Sequence, residues 1–160
     1  MIEIVTGDLF DAKEKYLVHQ CNCVTNKSAH LAKDVFEKYP YADIYTARTE
    51  PDKPGTFILR GNGEDQRYVV ALLAQYYPGK SKYPTSKIDG IEVRRKYFHS
   101  ALIRLAKTPD LVSLAFPWRI ACGAAGGDWE WYLGTITNFA RYIKENQDAK
   151  VVIYRREGDE

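Results

Sequence analysis

The stretch Tyr68-Val69-Val70-Ala71-Leu72-Leu73-Ala74 is apolar without a break from Val69 onward. A strand with one wet face alternates apolar and polar side chains, so an unbroken apolar run bounded by turn signals predicts a central strand covered on both faces. Working outward, residues 55–60 form a second β-rich run, and Gly61-Asn62-Gly63 between the two marks a turn, which predicts a hairpin or its near equivalent. Towards the amino terminus, residues 2–5 and 16–20 read as strands. Ala32, Val35, Phe36 and Tyr39 recur at helical spacing before Pro40, so residues 29–39 predict a helix. Towards the carboxyl terminus, Phe98, Ala101, Leu102 and Leu105 mark a second helix, and residues 111–116 a buried strand. Trp129, Tyr132, Leu133, Ile136, Phe139, Ala140 and Ile143 line a third helix, and residues 151–154 close the chain as a strand. The order β-β-α-β-β-α-β-α-β implies an α/β fold, a mixed sheet with helices on both faces.

With 160 residues, 45% of them hydrophobic, the chain can bury one substantial core, and residues 1–160 are expected to form a single domain. A net charge of +2 lacks the basic excess that would point to nucleic acid or a membrane surface, so neither is an expected partner. The opening Met1-Ile2-Glu3-Ile4-Val5 has no basic leader, and no apolar run is long enough to span a bilayer. A cytoplasmic protein is expected, with the nucleus as the alternative. Cys21, Cys23 and Cys122 are too few and too unevenly placed for a disulfide framework, and the three histidines are scattered. Neither a metal nor a cofactor is expected.

Open α/β sheets bind ligands beyond the carboxyl ends of their strands, which singles out three segments. In Thr6-Gly7-Asp8-Leu9-Phe10 a carboxylate follows the opening strand; by itself this is also ordinary turn chemistry. His19-Gln20-Cys21-Asn22-Cys23-Val24-Thr25-Asn26 gathers polar groups at a strand exit, ahead of a helix expected to begin near Ser28, whose free N–H groups could hold a diphosphate. Ser28 as a plain helix cap is the alternative. Ala121-Cys122-Gly123-Ala124-Ala125-Gly126-Gly127-Asp128 is made almost wholly of small residues, so its backbone can approach a phosphate, although it matches no established glycine fingerprint. It reads equally as a connector with Asp128 as helix cap.

In order and spacing these segments, with Leu72-Leu73-Ala74-Gln75 and Val152-Ile153-Tyr154, resemble the macrodomain family, in the branch of the yeast ADP-ribose 1″-phosphate phosphatase and the terminal ADP-ribose protein glycohydrolase. The resemblance covers nearly the whole chain and implies a three-layer α/β/α fold around a mixed central sheet, with ADP-ribose or a derivative as ligand. It implies that Asp8 accepts from the adenine amino group, with Leu9 also at the ligand, that Asn22 and Asn26 face the distal ribose, and that residues 28–32, His30 among them, supply one phosphate loop. Cys122, Gly123, Ala124, Ala125, Gly126 and Gly127 would wrap the diphosphate and the distal ribose, with Arg156 against the adenine. Where the family carries a glycine run, this chain has Ala29-His30-Leu31-Ala32. The glycohydrolase's lysine and aspartate correspond to Gln75 and Ala125, so both of those groups are absent. His19, shared with the phosphatase context, is the expected acid or base, with a buried structural histidine as the alternative, and Asp128 at the helix start is the second candidate base.

The leading expectation is therefore a hydrolase removing a 1″-phosphate or another substituent from the distal ribose. The alternative is a non-catalytic reader of ADP-ribose or of ADP-ribosylated macromolecules. Nucleic-acid binding by the aromatic and basic loop at 75–83 ranks last.

Overall fold

A computed structural model describes residues 2–159; Met1 and Glu160, the ends of the expected domain, lie outside the described residues. The elements follow the expected order: β1 (Ile2–Thr6), β2 (Tyr16–Cys21), α1 (His30–Lys38), β3 (Phe57–Arg60), β4 (Tyr68–Leu73), α2 (Ile91–Ala106), β5 (Ser113–Pro117), α3 (Trp129–Gln147) and β6 (Lys150–Arg155). They build one six-stranded sheet in the order β1-β6-β5-β2-β4-β3. Every pairing is parallel except β3 with β4, which is the antiparallel hairpin announced by Gly61-Asn62-Gly63.

The strand residues sort by parity onto two cores. Val70, Leu72, Leu114, Phe116, Val18 and Ile153 face α2 and α3, where they meet Phe98, Leu102, Ile136 and Phe139. Val69, Ala71, Leu73, Leu17 and Ala115 face the other way, against Val35 and Phe36 of α1 and Ile44 and Tyr45 beyond it. This two-sided burial is the physical reason that β4 is apolar throughout.

Several boundaries differ from the sequence reading by one or two residues, and three of the differences have a local cause. β5 begins at Ser113 rather than 111, because Val112 has a left-handed φ of 60° and is exposed. β3 begins at Phe57 rather than 55, after Gly55 at a φ of 82°. Ser28 does not cap α1; Ala29 holds that position with extended backbone and no side-chain bond.

The register of β2 with β5 spans only Tyr16↔Leu114 and Leu17↔Ala115, whereas that of β2 with β4 runs the full length from Tyr16↔Tyr68 to Cys21↔Leu73. The sheet thus opens between β2 and β5 at their carboxyl ends. Leu114 sits fully buried at the root of this opening. Leu114→Ala should cost about 2–5 kcal/mol, the range for a leucine deleted from a packed core. Urea unfolding of the two proteins measures it, and a negligible change would mean that this layer is not packed.

Candidate functional site

A cleft of about 320 Å³ occupies the opening. Its floor is formed by Gln20, Asn22 and Gln75 at the exits of β2 and β4. One wall comes from Lys27 and residues 29–32 at the start of α1, with Tyr45. The opposite wall runs from Pro117 through Ala121 and on to Gly123, Ala124 and Ala125. Pro78 and Gly79, from the loop after β4, close the end nearest that strand. Lys27 and Arg119 give the lining positive charge, and it contains no aspartate or glutamate.

The β2 exit is built by one side chain. Asn22 is buried, donating its backbone N–H and its Nδ2 to the Tyr45 hydroxyl at 2.8 and 3.1 Å. Its Oδ1 accepts from the N–H groups of Val24 and Thr25, both at 3.0 Å, which turns the chain towards α1. Arg48 fastens this turn from beneath, donating to the carbonyls of Asn22 and Thr25 at 2.9 and 3.0 Å and pairing with Asp52. Asn26 donates to the carbonyls of Tyr45 and Arg48 and is not in the cleft lining, so it holds the turn rather than facing the ligand space. His30 does line the cleft, exposed, with a φ of 55° at the first position of α1. A left-handed histidine stands where the resemblance implied glycine.

The loop after β5 folds back on itself through Gly127 N–H to Ala121 O at 2.8 Å and Gly126 N–H to Gly123 O at 3.1 Å. Among the described residues the N–H groups of Gly123, Ala124 and Ala125 donate to no backbone carbonyl, and all three residues line the cleft. Gly127 has no room for a side chain: a Cβ there would lie 2.6 Å from Ala121 O and 2.7 Å from the Tyr132 ring. Gly126 and Gly127 line not the cleft but a neighbouring cavity of about 310 Å³, which shares Gln20, Ala121 and Ala125 with it. Cys122 is buried, its thiol on the Ile120 carbonyl at 3.2 Å, and it stays out of the lining. Burial pushes that thiol up to about 11, and those of Cys21 and Cys23 up to about 12, so all three are held protonated at neutral pH.

Asp8 and Leu9 follow β1, at the far end of the sheet. Asp8 is exposed and accepts from Phe10 N–H at 2.9 Å, while Leu9 is buried in the α1-side core. Arg156 follows β6 on the neighbouring strand end, exposed, with its N–H on Asp159. These two strand ends are joined by Gly7 N–H to Arg155 O at 2.9 Å, but none of Asp8, Leu9 and Arg156 is in the cleft lining.

The expected proton-transfer group requires correction. His19 is fully buried on the α1 face of β2, edge-on to the Phe36 ring and 3.7 Å from the Cys21 sulfur, with no access to the cleft. Strand parity is the reason: Gln20, its neighbour, takes the cleft side, and His19 fills the core. Asp128 caps α3, accepting from Glu130 N–H, lies 3.7 Å from the Arg95 guanidinium, and lines the neighbouring cavity. Gln75 and Ala125 both line the cleft. Gln20 donates to Gln75 Oε1 at 2.8 Å, while its own Oε1 is buried with no partner among the described residues. Sequence reading missed Lys27, Tyr45, Trp118 and Arg119. The last two lie within three residues of the end of a predicted buried strand, the signal that could have found them. Among the described residues no cluster of three histidine, cysteine or acidic side chains could hold a metal, and no helix is long and apolar enough to cross a membrane.

Burial holds the His19 imidazole down at about 4 in the folded chain, against about 6.5 for a free imidazole. The unfolded chain therefore takes up the proton first. The stability linked to this ring is whole above about pH 6.5 and is lost as the pH falls towards 4, by on the order of 3 kcal/mol. Melting temperatures of the wild type and His19→Leu between pH 7 and pH 5 should show a shallower acid slope in the variant. Identical slopes would put the acid sensitivity in another group.

No family model matches the sequence, and no curated protein does. Solved structures do. The macrodomain of Mycobacterium tuberculosis DarG superposes with a TM-score of 0.71 at 22% identity, covering 98% of this chain and 99% of that one. The macrodomain of Thermus aquaticus DarG gives 0.67 at 18%, covering 97% and 98%. A Trypanosoma brucei macrodomain in complex with ADP-ribose gives 0.67 at 17%, covering 99% of this chain and 65% of that one. The superposition runs along nearly the whole length of the chain, and the chain, with its six-stranded mixed sheet and helices, has the macrodomain fold.

Proposed function

We propose that the cleft binds ADP-ribose or a derivative of it. The observation that carries this reading is the wall of small residues at 123–125, whose N–H groups meet no backbone carbonyl, facing the start of α1 across a lining with Lys27 and Arg119 and no carboxylate. Backbone N–H groups and a helix start suit a diphosphate. The ADP-ribose in the Trypanosoma brucei macrodomain, which has the same fold, supports the assignment.

Recognition without turnover is the form we favour, with ADP-ribosylated macromolecules as the source of the ligand. Gln75 and Ala125 supply neither amine nor carboxylate to the cleft, and His19 is shut away in the core. Hydrolysis of a distal-ribose substituent is the second reading, favoured by one observation: the exposed imidazole of His30 on the cleft wall. An imidazole there would carry the acid or base role first sought in His19.

Calorimetric titration with ADP-ribose should give saturable binding, and undetectable binding at millimolar ligand would end the proposal. Gly123 offers a clean steric probe, since a Cβ there meets nothing within 4 Å and its backbone is not left-handed. Gly123→Val should leave the melting temperature nearly unchanged and weaken ADP-ribose by at least about tenfold. Unaltered affinity would mean that the ligand does not touch this wall. Phosphate release from ADP-ribose 1″-phosphate should be absent; release that His30→Ala abolishes would establish the hydrolytic reading instead.

A further inference from the structure

We infer that Arg94 is a positioning residue that sets the separation of the two cleft walls around the distal half of the ligand, an inference that rests on the ADP-ribose reading. Arg94 sits in the first turns of α2 and is 4% exposed. Its Nε and Nη2 form a fork on the Asp89 carboxylate at 2.9 and 2.6 Å. The same Nη2 donates to Tyr77 O at 3.2 Å, and Nη1 donates to Gly79 O at 2.8 Å and Ala125 O at 3.4 Å. A guanidinium carries five N–H donors, and these contacts account for all of them.

The contacts join two segments that lie outside the sheet and the helices. Residues 76–89 contain neither strand nor helix. Gly79 lines the cleft on that side, and Ala125 lines it on the wall after β5. Asp89 ties the loop inward as well, accepting from Tyr76 N–H at 2.7 Å, while its carbonyl accepts from the Ser81 hydroxyl at 2.7 Å. Gln75, on the cleft floor, donates to the same Tyr77 and Gly79 carbonyls at 2.9 and 3.4 Å. One buried cation thus fixes the loop after β4 and the wall after β5 relative to each other. A lysine has three donors on one point charge and cannot hold a carboxylate fork and three carbonyls at once.

This joint lies at the β4 end of the cleft, on the other side of β5 and β6 from Asp8. With the adenine towards Asp8, as the resemblance implies, its effect falls on the half of the ligand beyond the diphosphate. Arg94→Lys, which keeps a cation for Asp89, should weaken ADP-ribose by about tenfold or more, yet change the affinity for ADP, which lacks the distal ribose, by less than about threefold. Asp89→Asn should show the same selectivity, and it serves alone if Arg94→Lys fails to fold. Equal losses for the two ligands would overturn the inference and leave Arg94 as general structural support. A wild type that does not bind ADP-ribose, whether or not it binds ADP, would instead defeat the ADP-ribose reading beneath it.

Discussion

The pairing of β2 is the constraint from which the rest of the molecule follows. On one edge it runs parallel to β4 through its full length, and on the other it meets β5 only at Tyr16 and Leu17. Parallel neighbours deliver their carboxyl ends to the same edge of the sheet, and a pair that stops early leaves a crevice there. The cleft is that crevice. Pairing of β5 with β2 stops at Ala115, Phe116 and Pro117 pair only with β6, and Trp118 to Ala121 then run along the gap.

A crevice between strand ends must be walled by loops, and loops carry polar backbone that needs partners. This protein supplies them with buried side chains. Asn22 and Arg48 answer the carbonyls and N–H groups of the turn into α1, and Arg94 answers those of the loop after β4 and the wall after β5. Each would be costly to break, because a buried polar group that loses its partner carries a desolvation penalty. The N–H groups of Gly123, Ala124 and Ala125 stand apart from this bonding, in keeping with an anion as their partner.

Much of the architecture was legible in the sequence. The apolar run at 69–74, the hairpin turn and the helical stripes each reflect neighbours a few residues away, and the element order came out as read. Of the segments that the resemblance assigns to the ligand, residues 29–32 line one wall of the cleft and Ala121, Gly123, Ala124 and Ala125 the other. His19 was misjudged because the alternation of a strand buried on both faces does not say which parity lines a crevice at its end. Asn26 and Cys122 were misjudged for a related reason, since a polar or thiol side chain near a site can equally build the turn that supports it.

By itself the sequence determined the fold class, the succession of elements and the small-residue loop, all properties set by local periodicity and side-chain size. Only the tertiary structure decided which polar groups reach the ligand space and which are consumed in holding it open. Arg94 shows why: in Arg94-Arg95-Lys96 nothing separates a buried cation from solvated neighbours. Its partners at Tyr77, Gly79 and Ala125 lie 17, 15 and 31 residues away along the chain. They become its neighbours only when α2 packs on the sheet, because the burial and the bonding of a charge are fixed by groups that converge from separate segments.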